Sequence, residues 1–374
     1  MDSIHFPDYK HSILNISSTL LKYYGVETPY ASLEKLEKEL NKDYKNVILM
    51  IFDGLGIDIL NKNLPKDSLL QKHIVEEITS VFPPTTTAAT TSYYSGKTPI
   101  EHAWLGWMCY FNKLNKAIEL FKNSDFYTGE KIDIDVMKEL PYSTIYEQIT
   151  EATKNKVKTH KLFPDFIQTD GYKNLEELHR TICQLTKSND RNFVLCYSPF
   201  PDKIIHRYGT QSDETQKSVL KTVRFIENIY KQLDDTLIIV SADHGLIDIE
   251  KEFFIEEYPD FMECLSRPLS LEDRTISIKL KDGKKEQVLS AFNRYFAKDF
   301  ILLSKEEVLQ KQLFGPAKPN PKALEFIGDY IIISKSHNSL RQKTASNEPL
   351  KAAHAGILKA EMLVPLILLN THSR

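Results

Sequence analysis

Three strongly apolar runs in this chain each lead into an aspartate: residues 46–52 into Asp53, 192–198 into Asp202, and 236–242 into Asp243. Val47, Ile48, Leu49, Met50, Ile51 and Phe52 follow one another without a polar interruption, as do Leu237, Ile238, Ile239 and Val240. Strands that are half exposed alternate between apolar and polar residues, whereas strands covered on both faces do not. The expected fold class is therefore α/β, with a largely parallel central sheet and helices on both faces. In open sheets of this kind the functional crevice lies beyond the carboxyl ends of the strands. Three carboxylates delivered to one rim repel each other, and a divalent metal cluster among them is the natural counterweight.

A chain of 374 residues can bury a large core, and a net charge of −3 offers no basic field for nucleic acid or an anionic membrane. No apolar stretch approaches the ~20 residues of a membrane span. The run from Met362 to Leu369 is short and contains Pro365. The first residues carry acids and lack the basic-then-apolar layout of a secretion signal. Cys109, Cys183, Cys196 and Cys264 show no paired spacing, which suits free thiols in a reducing compartment. The expectation is a soluble cytoplasmic protein whose partner is a small molecule, with no nucleic-acid polymer and no membrane. Composition leaves the oligomeric state open.

Along the chain, residues 12–41 read as helical before the first strand. Asp53 is followed by Gly54, Leu55 and Gly56, a turn that lets the backbone leave the strand end closely. After Phe82, Pro83 and Pro84, a run of threonines and alanines reads as a helix start, with Gly96 at its end. Helical spacing recurs over 143–153, 172–187 and 213–232. Residues 246–345 have a different texture: a strand over 275–281, a turn at Asp282 and Gly283, a helix over 284–296, a proline-rich loop, and a strand over 329–334. The expected organisation is a catalytic domain made of 1–245 and 346–374, with an inserted α+β subdomain at 246–345 acting as a lid or rim. The polar stretch 336–350 is expected to be a mobile loop.

Asp202 and His206 are spaced i and i+4, so on a helical turn they share one face and can reach one metal ion. The competing reading is a helix start capped by Asp202, with His206 on the surface. Asp243 and His244 end a strand before Gly245. Neighbouring strand residues point to opposite faces, so these two converge only if the chain turns, which Gly245 permits. Both residue types suit zinc or manganese. His354, among alanines, reads by itself as a packed histidine. The run Thr85, Thr86, Thr87, Thr90, Thr91 and Ser92 places hydroxyls at a helix start, where free N–H groups favour an anion. A hydroxyl beside a divalent ion can become a nucleophile, but the spacing does not select which threonine. Together, Asp53, Asp202, His206, Asp243, His244 and His354 supply enough ligands for two metals with open positions.

On these residues the chain resembles the type I phosphodiesterase/nucleotide pyrophosphatase family of the alkaline phosphatase superfamily. The matching stretches are Ile51–Gly54, Phe82–Thr87 through Ser95 and Gly96, Pro201 and Asp202 with His206, Ala242–Gly245, and His354–Gly356 followed by Glu361–Pro365. They occur in the family's order. The resemblance implies that Asp202, His206 and His354 hold one zinc, and that Asp53, Asp243 and His244 hold the other together with the nucleophile. Counting back from Ser95 and Gly96, that nucleophile falls on Thr86. It further implies hydrolysis of phosphodiester or pyrophosphate bonds in nucleotides or similar small molecules, through a phosphothreonine.

Two positions depart from the pattern: Ala89 stands where animal members have an asparagine that holds a phosphoryl oxygen, and Ala355 where a glycine usually follows the last histidine. His102 reads as structural. Trp104, Trp107, Tyr110 and Phe111 read as core or as the lining of a leaving-group pocket. The rival readings are a phosphomonoesterase or phosphonate hydrolase using the same site, and a catalytically inactive ligand-binding pseudoenzyme. The presence of every expected ligand and of the nucleophile argues against the last.

Overall fold

The computed structural model describes residues 3–344 and 349–371. The apolar runs form the middle of a six-stranded sheet. Its order is Ile74–Thr79, Leu363–Asn370, Thr236–Ser241, Asn46–Phe52, Arg191–Ser198, Val157–Leu162. The last four are mutually parallel, and Leu363–Asn370 runs antiparallel to both of its neighbours. All seven residues of Asn46–Phe52 are buried, as continuous apolarity requires of a central strand. Helices flank the sheet; Asp213–Gln232 packs through Val219, Val223, Ile226 and Ile229. Its bounds match the periodicity of the sequence.

Residues 12–41 are not one continuous helix. The structure has Ile13–Tyr23 and Glu34–Leu40, separated where Gly25 adopts φ +82° and ends the first.

A second layer is a seven-stranded antiparallel sheet. Its order is Phe300–Ser304, Tyr330–Ser334, Thr275–Ile278, Ser270–Leu271, Met108–Phe111, Lys116–Glu119, Ser124–Asp125. Three of its strands come from 108–125, far from the stretch 246–345 that supplies the rest. One core joins the two sources: Trp104, Cys109, Phe111 and Ile118 pack with Leu271, Phe326, Ile331 and Ile333. A second core, around Phe253, Phe261, Phe292 and Phe296, lies within 246–345.

The stretch 336–350 is not simply a loop. Asn338–Arg341 is a strand paired in parallel with Lys251–Phe254, while residues 345–348 lie outside the described ones. Its polar side chains conceal a strand because Arg341 is engaged by Glu252 and Asp273 rather than by water. All four cysteines are free thiols. Among the described residues, no helix is long and apolar enough to cross a membrane.

Candidate active site

The parallel register brings three strand ends level. Phe52 lies beside Ser198, and Ile51 beside Ser241, so the residues that follow all emerge at one edge. Asp53 O accepts a hydrogen bond from Asp202 N at 3.0 Å, which ties two of the loops together. Gly54 makes this approach feasible: it has φ +72°, and a Cβ there would stand 2.9 Å from Asp202 Cβ. Gly245 acts differently from the sequence expectation. Its φ is not positive, but a Cβ would lie 2.1 Å from Ala360 O, so glycine is needed for close packing rather than for the turn.

Residues Thr86–Ser95 form the expected helix, closed by Gly96 at φ +67°. The first three hydroxyls of the run now separate. Thr85 Oγ1 donates to Glu272 Oε1 at 2.5 Å, and Thr87 Oγ1 is buried with no partner among the described residues. Thr86 Oγ1 stands 3.5 Å from both carboxylate oxygens of Asp53 and 3.3 Å from His244 Nε2. Thr85 makes no side-chain cap on its own helix, so its hydroxyl does not cover the first N–H groups there.

The histidines converge on the same edge. His244 and His354 stack with ring centroids 3.8 Å apart, and His206 lies 5.1 Å from His354. Each ring engages a backbone carbonyl through Nδ1: His206 with Ala352 at 2.8 Å, His244 with Gly245 at 3.2 Å, His354 with Pro84 at 3.2 Å. That bond fixes the tautomer and leaves Nε2 with a lone pair, as metal-ligating histidines require. His206 Nε2 lies 3.3 Å from Asp202 Oδ2, and His244 Nε2 lies 3.3 Å from Asp53 Oδ1 and 3.5 Å from Asp243 Oδ2.

Two groupings have ligand atoms all within 4.8 Å of one another: Asp202, His206 and His354, and Asp53, Asp202 and His244. Asp202 belongs to both. Asp243 adjoins the second through His244; its Oδ1 accepts from Gly54 N at 3.0 Å and His244 N at 2.9 Å.

Burial at this edge opposes the charged forms of its three aspartates and of His244 and His354. Burial pushes the carboxyls of Asp202 and Asp243 up to about 7. Burial and the neighbouring Asp243 charge hold Asp53 well above the usual carboxylate range. Burial likewise lowers His244 to about 3 and His354 well below the ordinary histidine value. Two buried carboxylate oxygens, Asp202 Oδ1 and Asp243 Oδ2, have no hydrogen-bond partner among the described residues. Orphaned acceptors in a cluster of like charge are what a bound cation would satisfy.

The second layer supplies the facing wall of a cleft of about 410 Å³. Trp107, Met108, Phe126, Leu271 and Glu272 line it opposite Thr86, Asp202, His206 and His354. Of the four aromatic residues flagged after His102, only Trp107 lines this cleft; Trp104, Tyr110 and Phe111 are buried in the cores. His102 is buried against Ser92 and Trp104, and burial lowers it to about 3.

Sequence reasoning missed several supports. Tyr197 donates a short hydrogen bond to Asp53 Oδ2, and only strand register places it there. Arg274, fully buried, grips Glu361 through Nε and Nη2 at 2.7 and 2.8 Å. Glu361 in turn accepts from Gly356 N at 2.6 Å, fixing the segment that follows His354. Ala355 holds φ +78°, in the left-handed region that favours glycine. The adjacent contacts Ala355 N to Pro84 O at 3.0 Å and Thr275 Oγ1 to Ala355 O at 2.5 Å hold it in place.

No curated protein sequence matches the chain. Among solved structures, murine ectonucleotide pyrophosphatase/phosphodiesterase 5 is 18% identical, with 87% of this chain and 88% of that one covered at a TM-score of 0.65. An inactive variant of it, in complex with AMP, is similar at 17% identity, with the same coverage and TM-score. Phosphonoacetate hydrolase from Sinorhizobium meliloti 1021, in complex with phosphonoformate, is 16% identical, covers 86% of this chain and 89% of that one, and has a TM-score of 0.63. These likenesses establish the alkaline phosphatase-like fold. A model of the type I phosphodiesterase/nucleotide pyrophosphatase family matches residues 47–356, a span that contains all the strand-end acids, the threonine helix and the three histidines. The chain is a member of that family of hydrolases.

Proposed function

We propose that the protein hydrolyses phosphodiester or pyrophosphate bonds in nucleotides or similar small molecules, through a phosphothreonine on Thr86. The observation that carries this reading is the position of Thr86 Oγ1, 3.3–3.5 Å from His244 and Asp53 at the uncapped start of its helix. Asp202, His206 and His354 would hold one divalent ion, and Asp53, Asp243 and His244 a second. Zinc suits these nitrogen and oxygen donors, with manganese as the alternative. Divalent ions in such a pair make a hydroxyl acidic and offset charge on phosphoryl oxygens.

The remaining steps belong to the chain. Thr86 Oγ1 loses its proton, with Asp53 the nearest carboxylate at 3.5 Å, and attacks phosphorus in line with the leaving oxygen. The bond from phosphorus to that oxygen breaks, and water later frees the phosphoryl group from Thr86. N–H groups at the start of the helix hold the anionic oxygens, taking the part that the buried Ala89 lacks. The apolar wall of Trp107, Met108, Phe126 and Leu271 faces a leaving group large enough to need it, which favours diesters. The AMP complex of the murine relative makes nucleotides the first class to test. A second reading, hydrolysis of a small phosphonate, is favoured by Lys203 at the same cleft, where its ammonium suits an anionic leaving group.

Purified protein given zinc or manganese is expected to cleave chromogenic diesters faster than matched monoesters or phosphonates, and to lose activity on chelation. A preference for phosphonoacetate would instead select the second reading, and activity undiminished by exhaustive chelation would sink both. His206→Ala is expected to lower bound zinc by about one ion per chain, because three protein ligands is the usual minimum for an open site. Unchanged stoichiometry in elemental analysis would refute that ligand assignment.

A further inference from the structure

The cleft wall carries a carboxyl that the steps above do not use. Glu272 follows Leu271, whose φ of +84° turns the backbone toward the site. Gly106 allows that turn: a Cβ there would stand 2.8 Å from Leu271 Cα. Glu272 Oε1 then accepts two hydrogen bonds, from Thr85 Oγ1 at 2.5 Å and from Trp107 N at 2.6 Å. Thr85 is wholly buried and immediately precedes Thr86.

A threonine at this position ordinarily turns its oxygen back over the first N–H groups of its own helix. Thr85 has the extended backbone of such a cap, φ −139° and ψ 150°, yet its side chain makes no capping bond. Donation to Glu272 has two consequences. The N–H groups of the first turn stay uncovered, as an incoming phosphoryl group requires. The backbone at Thr85 is also anchored to the opposite wall, which fixes how the next residue projects. The second bond, to Trp107 N, stops the carboxyl from swinging away.

We propose that Glu272 is a positioning residue for Thr86, acting through Thr85 and not through substrate. This inference rests on the reading of Thr86 as nucleophile. It requires an acceptor oxygen at position 272, not a charge, and a hydroxyl at position 85.

The test compares kcat and KM on bis(4-nitrophenyl) phosphate, with metal content, for Glu272→Leu, Glu272→Gln, Thr85→Val, Thr85→Ser and the double variant Glu272→Leu/Thr85→Val. Glu272→Leu and Thr85→Val are each expected to lower kcat by about 10–100-fold, the scale of a small misplacement of a reacting atom, with KM and bound metal little changed. The double variant should be no slower than the slower single, because both remove one contact. Glu272→Gln and Thr85→Ser keep the acceptor and the donor and should remain near the parent. Multiplicative losses in the double variant, a change in KM alone, loss of metal, or a glutamine variant as slow as the leucine one would each overturn the proposal. Thr86→Ala measured alongside separates the two claims. An active Thr86→Ala defeats the nucleophile itself, whereas an inactive one beside fully active Glu272→Leu and Thr85→Val defeats only the role of Glu272.

Discussion

Thr86→Ala is expected to lower turnover by about 10³-fold or more, the scale seen when a nucleophile is removed and only binding and electrostatic stabilisation remain. The fold should survive, because Thr86 lies at a helix start where alanine is an acceptable helix former. Six of the expected metal ligands are carboxylates and imidazoles on other elements, and Asp53, Asp243 and His244 remain for the ion that Thr86 would share, so bound metal should stay near the parent level. The backbone carbonyl of Thr86, which accepts from Thr90 Oγ1 at 2.6 Å, is untouched by the change. Neighbouring hydroxyls cannot substitute: Thr85 is engaged by Glu272, and Thr87 points into the interior. Steady-state kinetics with elemental analysis on the same preparation checks this, and turnover within tenfold of the parent would mean that another group attacks phosphorus.

Arg274→Ala is the change expected to cost most in stability. Arg274 and Glu361 are both fully buried and paired through two parallel contacts. Arg274 also donates to Asn338 O at 2.7 Å and Ser336 O at 2.9 Å. Removing one member of such a pair leaves an uncompensated charge in the interior, at about 3–5 kcal/mol. The loss would reach the site, since Glu361 anchors Gly356 and Leu358 just after His354. Denaturant unfolding should show a lower midpoint, and zinc content should fall with it. Replacing both residues with methionine should recover part of the loss, because the unpaired charge costs more than the absent pair contributes. A midpoint for Arg274→Ala equal to the parent's would contradict this account.

The middle of the central sheet was legible because Asn46–Phe52, Arg191–Ser198 and Thr236–Ser241 are buried on both faces and carry uninterrupted apolar runs, whereas the edge strands Ile74–Thr79 and Val157–Leu162 are partly exposed and carry polar residues. The strand over 338–341 was not legible, because its polar side chains are paired with other polar groups rather than with solvent. The second layer was half legible. Thr275–Ile278, the helix Lys285–Tyr295 and Tyr330–Ser334 follow ordinary periodicity. Their partnership with 108–125 does not, since it joins distant stretches through the Leu271–Met108 strand pairing and a shared core, neither of which has a local sequence signal.

The site divides along the same line. The aspartates stood out because they end recognisable strands, and Asp202 with His206 because a helix puts i and i+4 on one face. His354 gave no signal by itself; its place beside His244 depends on the route of the chain back through the second layer. Tyr197, Glu272 and Arg274 act over long sequence separations on residues already singled out, so no local spacing could reveal them. What the sequence alone determined was which acids and histidines follow the buried strands, because period, burial and turn preference are local properties. What the tertiary structure decided was which hydroxyl lies beside Asp53 and His244 and which side chains contact its neighbours, because those depend on segments that only the folded chain brings within a few ångströms.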